Sequence, residues 1–100
     1  MSVLAWHWIS DARTLRDGRP MVVGETVTHD GPLVLCESGL HASERIRDAL
    51  QYAPGGVVCR VECGGEIVRG DDKLVCRERR ALWAVDAAAV AGVGRRIQLD

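Results

Sequence analysis

The chain has 100 residues and a mass of 10.9 kDa, the size of one small domain. Apolar residues make up 47 % and charged residues 27 %, which excludes disorder, collagen and low complexity. Thirteen Lys and Arg against fourteen Asp and Glu leave a formal charge of −1, which argues against both a nucleic-acid-coating surface and an acidic DNA mimic. No apolar run approaches the ~20 residues of a membrane span, and Met1-Ser2-Val3 does not open a signal peptide. A cytoplasmic setting with reduced thiols is therefore expected for the four cysteines.

Val3 to Ser10 alternates Leu4, Trp6, Trp8 and Ser10 on one side with Val3, Ala5, His7 and Ile9 on the other. Both sides are largely apolar, so the segment reads as a central strand with His7 enclosed. Ser10 to Pro20 reads as a loop containing one turn. Met21-Val22-Val23 and Glu25-Thr26-Val27-Thr28 read as short strand pieces, and His29-Asp30-Gly31-Pro32 as a turn. Leu33 to Cys36 has the continuous apolar pattern of a buried strand, and Glu37 to Ala42 reads as irregular.

A helix is expected over about residues 43–53. Ser43 is placed to be its N-cap, Glu44 suits the first turn, and Pro54-Gly55-Gly56 ends it. Ile46, Ala49, Leu50 and Ala53 fall at i, i+3, i+4 and i+7, an amphipathic stripe. Val57 to Cys63 alternates as a strand with Val57, Cys59, Val61 and Cys63 inward. Gly64-Gly65 reads as a turn or bulge, and Glu66-Ile67-Val68 as a short strand. Arg69 to Lys73 is a polar loop, and Leu74 to Val85 a long charged strand exposed on one face. Asp86 is placed to cap a small alanine-rich helix through Ala91. The fold class is α+β: a small twisted, mainly antiparallel sheet with one principal helix, in a single domain spanning 1–100 with a C-terminal tail from 86.

Metal binding is not expected. The closest cysteines, Cys59 and Cys63, lie four apart on a strand, which separates their Cβ atoms by about 13 Å. The same spacing forbids a disulfide, whose Cα atoms lie within ~7 Å. A Cys36–His41 nucleophile pair lacks a protease signature around either residue. Gly55-Gly56 and Gly64-Gly65 precede no helix, so neither implies a phosphate loop; the N-terminus of the Ser43 helix, with His41 beside it, is the better anion position. Arg77, Arg79 and Arg80 with Trp83 could hold RNA, but Glu78 interrupts them and a solvated edge face fits better. Nucleic acid is thus not expected as a direct partner.

Three segments carry a resemblance: Cys36-Glu37-Ser38-Gly39-Leu40-His41-Ala42-Ser43, Asp48-Ala49-Leu50-Gln51-Tyr52-Ala53-Pro54-Gly55, and Gly65-Glu66-Ile67-Val68-Arg69-Gly70-Asp71-Asp72-Lys73. Together, over about residues 3–85, they resemble a functionally unassigned domain family of bacteriophage and prophage proteins. The resemblance implies a mobile-element setting in a bacterial host and offers no reaction to inherit. A second resemblance is to ADP-ribosyltransferase-like folds, through a histidine on the first strand and Gly-x-His-x-Ser entering a helix with Ala-x-x-Tyr-Ala. It implies that His7 holds a nucleotide ribose and that Gly39, His41 and Ser43 line a nicotinamide pocket. Neither Glu66 nor Glu78 sits in a recognisable version of the carboxylate motif of those enzymes, so it implies binding more than transfer.

The reading adopted is a small accessory protein that binds a host protein or small ligand stoichiometrically, with inhibition of a host defence system of the anti-CRISPR type as one expression of it. It needs no cofactor, metal or membrane. The alternative is an ADP-ribosyltransferase-like enzyme or pseudoenzyme that binds NAD. The candidate ligand-binding residues are His7, Gly39, His41, Ser43, Tyr52, Asp72 and Lys73. His7 and His41 are expected to border a common hollow, although structural roles are open to each: His7 as a core histidine, His41 as a pin for its loop, Tyr52 as packing, Asp72 and Lys73 as a local ion pair.

Overall fold

Two 13-residue strands, β4 (Val57–Arg69) and β5 (Leu74–Asp86), form a long antiparallel hairpin at the centre of the computed structural model, which describes residues 2–87. Around it lie β1 (Val3–Ile9), β2 (Thr26–Thr28), β3 (Leu40–Ala42) and a short helix α1 (Ile46–Leu50). The sheet order is β1-β4-β5-β2, with β3 also paired to β5, and every pairing is antiparallel. The fold is thus mainly an antiparallel sheet with one short helix, and no described helix is long and apolar enough to cross a membrane.

The alternation Val57-Cys59-Val61-Cys63 is buried as its period implies, and β1 lies against it in register from Val3↔Cys63 to Ile9↔Val57. Glu66-Ile67-Val68 is not a separate strand: β4 continues through Gly64-Gly65, where the register with β5 shifts. Gly65 has φ +68, and a Cβ there would meet Arg77 Cβ at 2.9 Å, so glycine permits the bulge.

The sheet then curls until it nearly closes. Immediately after β3, Ser43 forms a single bridge to Trp6 on the free edge of β1, with Trp6 N donating to Ser43 O (2.7 Å) and Ser43 N to Trp6 O (2.9 Å). The pairings β1–β4, β4–β5, β5–β3 and this one bridge make a circuit. Ala5, Ile9, Leu40, Val61, Leu74 and Cys76 belong to the buried cluster it forms. Trp8, Ala49 and Val58 form a second cluster, with Ile46 and Ala53 of the helical segment packed on it.

Long-range pairing accounts for most departures from the sequence expectations. Ser43 is not a helix cap. It is buried, and its backbone donor and acceptor are both committed to Trp6, so the helix starts three residues later behind Arg45, which makes no side-chain cap bond. The regular helix also ends earlier, at Leu50, with turns carrying the chain to Ala53. Leu50 is 39 % exposed and leaves the apolar stripe. β3 was not expected; it forms because β5 offers Leu74–Cys76 as a partner. Leu33–Cys36 is not a buried strand: Val34 and Ser38 bridge across a turn, and Cys36 has φ +70, outside the extended region. Met21–Val23 is not a strand either, and Val22 and Val23 are exposed. β1 stands at one end of the strand order and is not central, its outer edge holding only the Ser43 bridge among the described residues. Asp86 ends β5, and the alanine-rich helix expected through Ala91 lies outside the described residues.

Candidate functional site

Beyond the Trp6–Ser43 bridge, β1 and β3 separate. Continuing the ladder would set His7–Ser10 opposite Gly39–Ala42. Instead β3 turns to β5, and both of these segments line a cavity of about 1080 Å³. Trp6, Leu15, Arg16, Tyr52, Lys73 and Arg79 complete much of its wall. The volume is at the upper end of ordinary small-molecule sites.

Of the candidates from the sequence, His7, Gly39, His41, Ser43, Tyr52 and Lys73 all line this cavity. Asp72 is not in the wall; it accepts a hydrogen bond from the Tyr52 hydroxyl (2.7 Å). The two histidines do different things. His41 Nε2 accepts the Cys36 N–H at 2.9 Å, which fixes the neutral tautomer with its proton on Nδ1. Burial holds its pKa below the ordinary value, a backbone hydrogen bond with Gly39 pulls the other way, and the charges of Lys73, Arg16 and Arg79 lower it further. His41 therefore pins the 36–41 loop with its own ring. Gly39 makes that loop feasible: its φ is +114, and a Cβ would collide with Val75 Cγ2 and lie 2.9 Å from Leu33 Cδ2.

His7 is the free imidazole, with no hydrogen-bond partner among the described residues. Its neighbours in the strand, Ala5 and Ile9, are core residues, and its cross-strand partner is the buried Cys59. Burial keeps its pKa well below the ordinary value, with the charges of Arg79 and His41 acting in the same direction. At neutral pH it offers the cavity one N–H donor and one acceptor. Trp8 Nε1 is a second polar atom without a partner, buried among the described residues.

The segments that carry the sequence resemblance converge at the mouth. Lys73 Nζ contacts Cys36 Sγ and lies 4.4 Å from the centre of the Tyr52 ring, a cation–π distance. That contact with Cys36 raises the Lys73 pKa, and the bond to Asp72 raises that of Tyr52. Asp72 and Lys73 are thus joined through Tyr52 and form no ion pair with each other. Cys36 is the exposed cysteine; Cys59, Cys63 and Cys76 are buried, and no described group of three or more His, Cys, Asp and Glu could hold a metal.

Sequence reasoning missed Arg79. The sequence reads it as part of a solvated edge, but it is only 6 % exposed and lines the cavity. Counting from Leu74 and Cys76 puts Arg79 outward, whereas counting back from the buried Ala81 puts it inward. The register shift at Gly64-Gly65, where two residues of β4 face one of β5, resolves the conflict, because the alternation of β5 changes phase beside it. That clash of phases, beside a Gly-Gly pair, was the available signal.

The fold and its wall define a small, sheet-dominated domain with a ligand-sized split between two strands. The match to known families covers residues 6–92, and the chain belongs to the DUF7666 family, a domain of unknown function. No curated protein and no solved structure matches it.

Proposed function

We propose that this domain is a binding protein for a small molecule seated in the split between β1 and β3. The observation that carries the reading is the interrupted ladder: a domain of this size leaves about 1080 Å³ open where two strands could have zipped, and His7 borders that space with its ring unpartnered among the described residues. Apolar wall from Trp6, Ile9 and Leu15 supplies area, and His7 supplies direction. ADP-ribosyl transfer is not part of the proposal. Glu66 is paired with Arg77 at 3.1 Å, and neither it nor Glu78 lines the cavity.

A fragment screen by amide chemical shifts tests this. Binding compounds should shift His7–Ser10 and Gly39–Ser43 together, and Ser10→Trp should abolish those shifts by filling the gap. Shifts confined to the outer sheet face, or no binding across a diverse library, would refute it. A second reading, stoichiometric attachment to a host protein, is favoured by that outer face. Leu4 and Trp83 are 50 % and 43 % exposed, and Trp83 meets Trp6 edge-on at 5.7 Å. Inhibition of a host defence system belongs to this reading. Trp83→Asp together with Leu4→Asp should then remove a host-lysate partner that wild type retains, and an unchanged partner would exclude that face.

A further inference from the structure

Arg79 carries the one inference that goes beyond a generic ligand. Its guanidinium is nearly enclosed, donates to the His41 carbonyl, and forms no ion pair with a carboxylate among the described residues. The ionisable groups that act on it most are the thiols of Cys76, Cys63 and Cys59 and the like charge of Arg19. Buried arginines are ordinarily matched by an anion, because an enclosed charge without a counter-charge is costly.

The cavity wall has the same bias. Arg16, Arg19, Lys73 and Arg79 line it against only two carboxylates, Asp17 and Glu37. Asp17 is already bonded to Arg19 at 2.7 Å. This local excess of positive charge occurs in a chain whose formal charge is −1. His7 and His41 add no charge of their own to it, since burial and the neighbouring cations hold both below their ordinary pKa. His7 adds a neutral donor to the same wall and feels the Arg79 charge, and a fork of N–H groups together with a single imidazole N–H suits an anion with several oxygens.

We infer that Arg79, assisted by His7, anchors the oxyanion head group, phosphate ester or carboxylate, of the molecule that occupies the cavity. The apolar wall leading from it to Trp6 and Leu15 holds the uncharged remainder. This rests on the cavity being a ligand site, and the test separates the two claims.

Phenyl phosphate, benzoate and benzyl alcohol are titrated by amide chemical shifts into wild type, Arg79→Gln and the rim variant Arg16→Gln. Wild type should prefer at least one of the two anions over benzyl alcohol by roughly 10- to 100-fold, the range of charge-assisted hydrogen bonds. Whichever anion is preferred identifies the head group. Arg79→Gln should bring that preference within about twofold by weakening the anion; Arg16→Gln should change the preference less than Arg79→Gln does. Equal binding of charged and neutral probes by wild type overturns the anchor and leaves the cavity reading standing. Preference that survives Arg79→Gln also overturns it, and failure of all three probes to bind overturns both. The wild-type comparison decides even if Arg79→Gln does not fold, and Arg79→Lys, which keeps the charge but not the fork, should retain only part of the preference.

Discussion

Replacing Arg79 by methionine should make the protein more stable. Enclosing a guanidinium costs several kcal/mol even after relaxation of its surroundings. Against that stands one charge-assisted hydrogen bond, to the His41 carbonyl, which returns about 1.5–3 kcal/mol. No carboxylate among the described residues adds to it, and the adjoining core is apolar or thiol: Val61, Cys63, Cys76 and Ala81. Methionine preserves most of the stem volume, and the half-buried His41 carbonyl can find water in the cavity. The balance favours Arg79→Met by about 1–2 kcal/mol, which in a domain of this size raises Tm by roughly 4–16 °C. Thermal melts by circular dichroism in a buffer free of oxyanions measure it, with an amide spectrum to show the fold is kept. A variant less stable than wild type by more than about 1 kcal/mol would mean that the guanidinium braces the sheet, and the argument from its missing counter-charge would fail.

Further outcomes follow from the same geometry. Both His7 and His41 ionise below their ordinary 6.5 in the folded protein, so the unfolded chain takes up protons first as pH falls. Stability should be fully present above about pH 6.5 and drain as pH falls from there towards the folded values, by at most about 1.4 kcal/mol per pH unit for each histidine. Urea midpoints across pH 5 to 8 read this, His7→Gln and His41→Gln should each flatten the curve, and a gain in stability on acidification would contradict it. Gly39→Ala should cost about 2–4 kcal/mol, because it combines a left-handed backbone with overpacking against Val75 and Leu33; a denaturant midpoint within error of wild type would show that the loop can relocate. Cys36 alone among the four cysteines should react quickly with a thiol reagent in the native state, and all four in denaturant; fast labelling of a second thiol would show that the core opens.

Local pattern made part of this architecture legible. The period-2 runs of β1 and β4 and the Gly-Gly bulge follow from apolar spacing and glycine chemistry, and His7 and His41 do share the wall of one cavity. What could not be read from local pattern depends on partners distant in sequence. Leu40-His41-Ala42 has no strand signal beyond a single alternation, and becomes one only because β5 has an edge free there. Ser43 has the local chemistry of a helix cap, but its backbone is claimed by Trp6, 37 positions away, and the helix shortens accordingly. The inward turn of Arg79 is visible only once β4 is known to bulge at Gly64-Gly65 against this part of β5. Tyr52, Asp72, Lys73 and Cys36 belong to three separate motifs whose meeting at the mouth no spacing rule foretells.

The point where β1 and β3 part behaves like the slider of a zip fastener. Moving it along the two strands exchanges cavity wall for regular ladder, residue pair by residue pair, while the long β4–β5 hairpin stays untouched. Room for an occupant and completeness of the sheet are therefore a single variable in this fold, and its present setting is held by one bridge of two backbone hydrogen bonds.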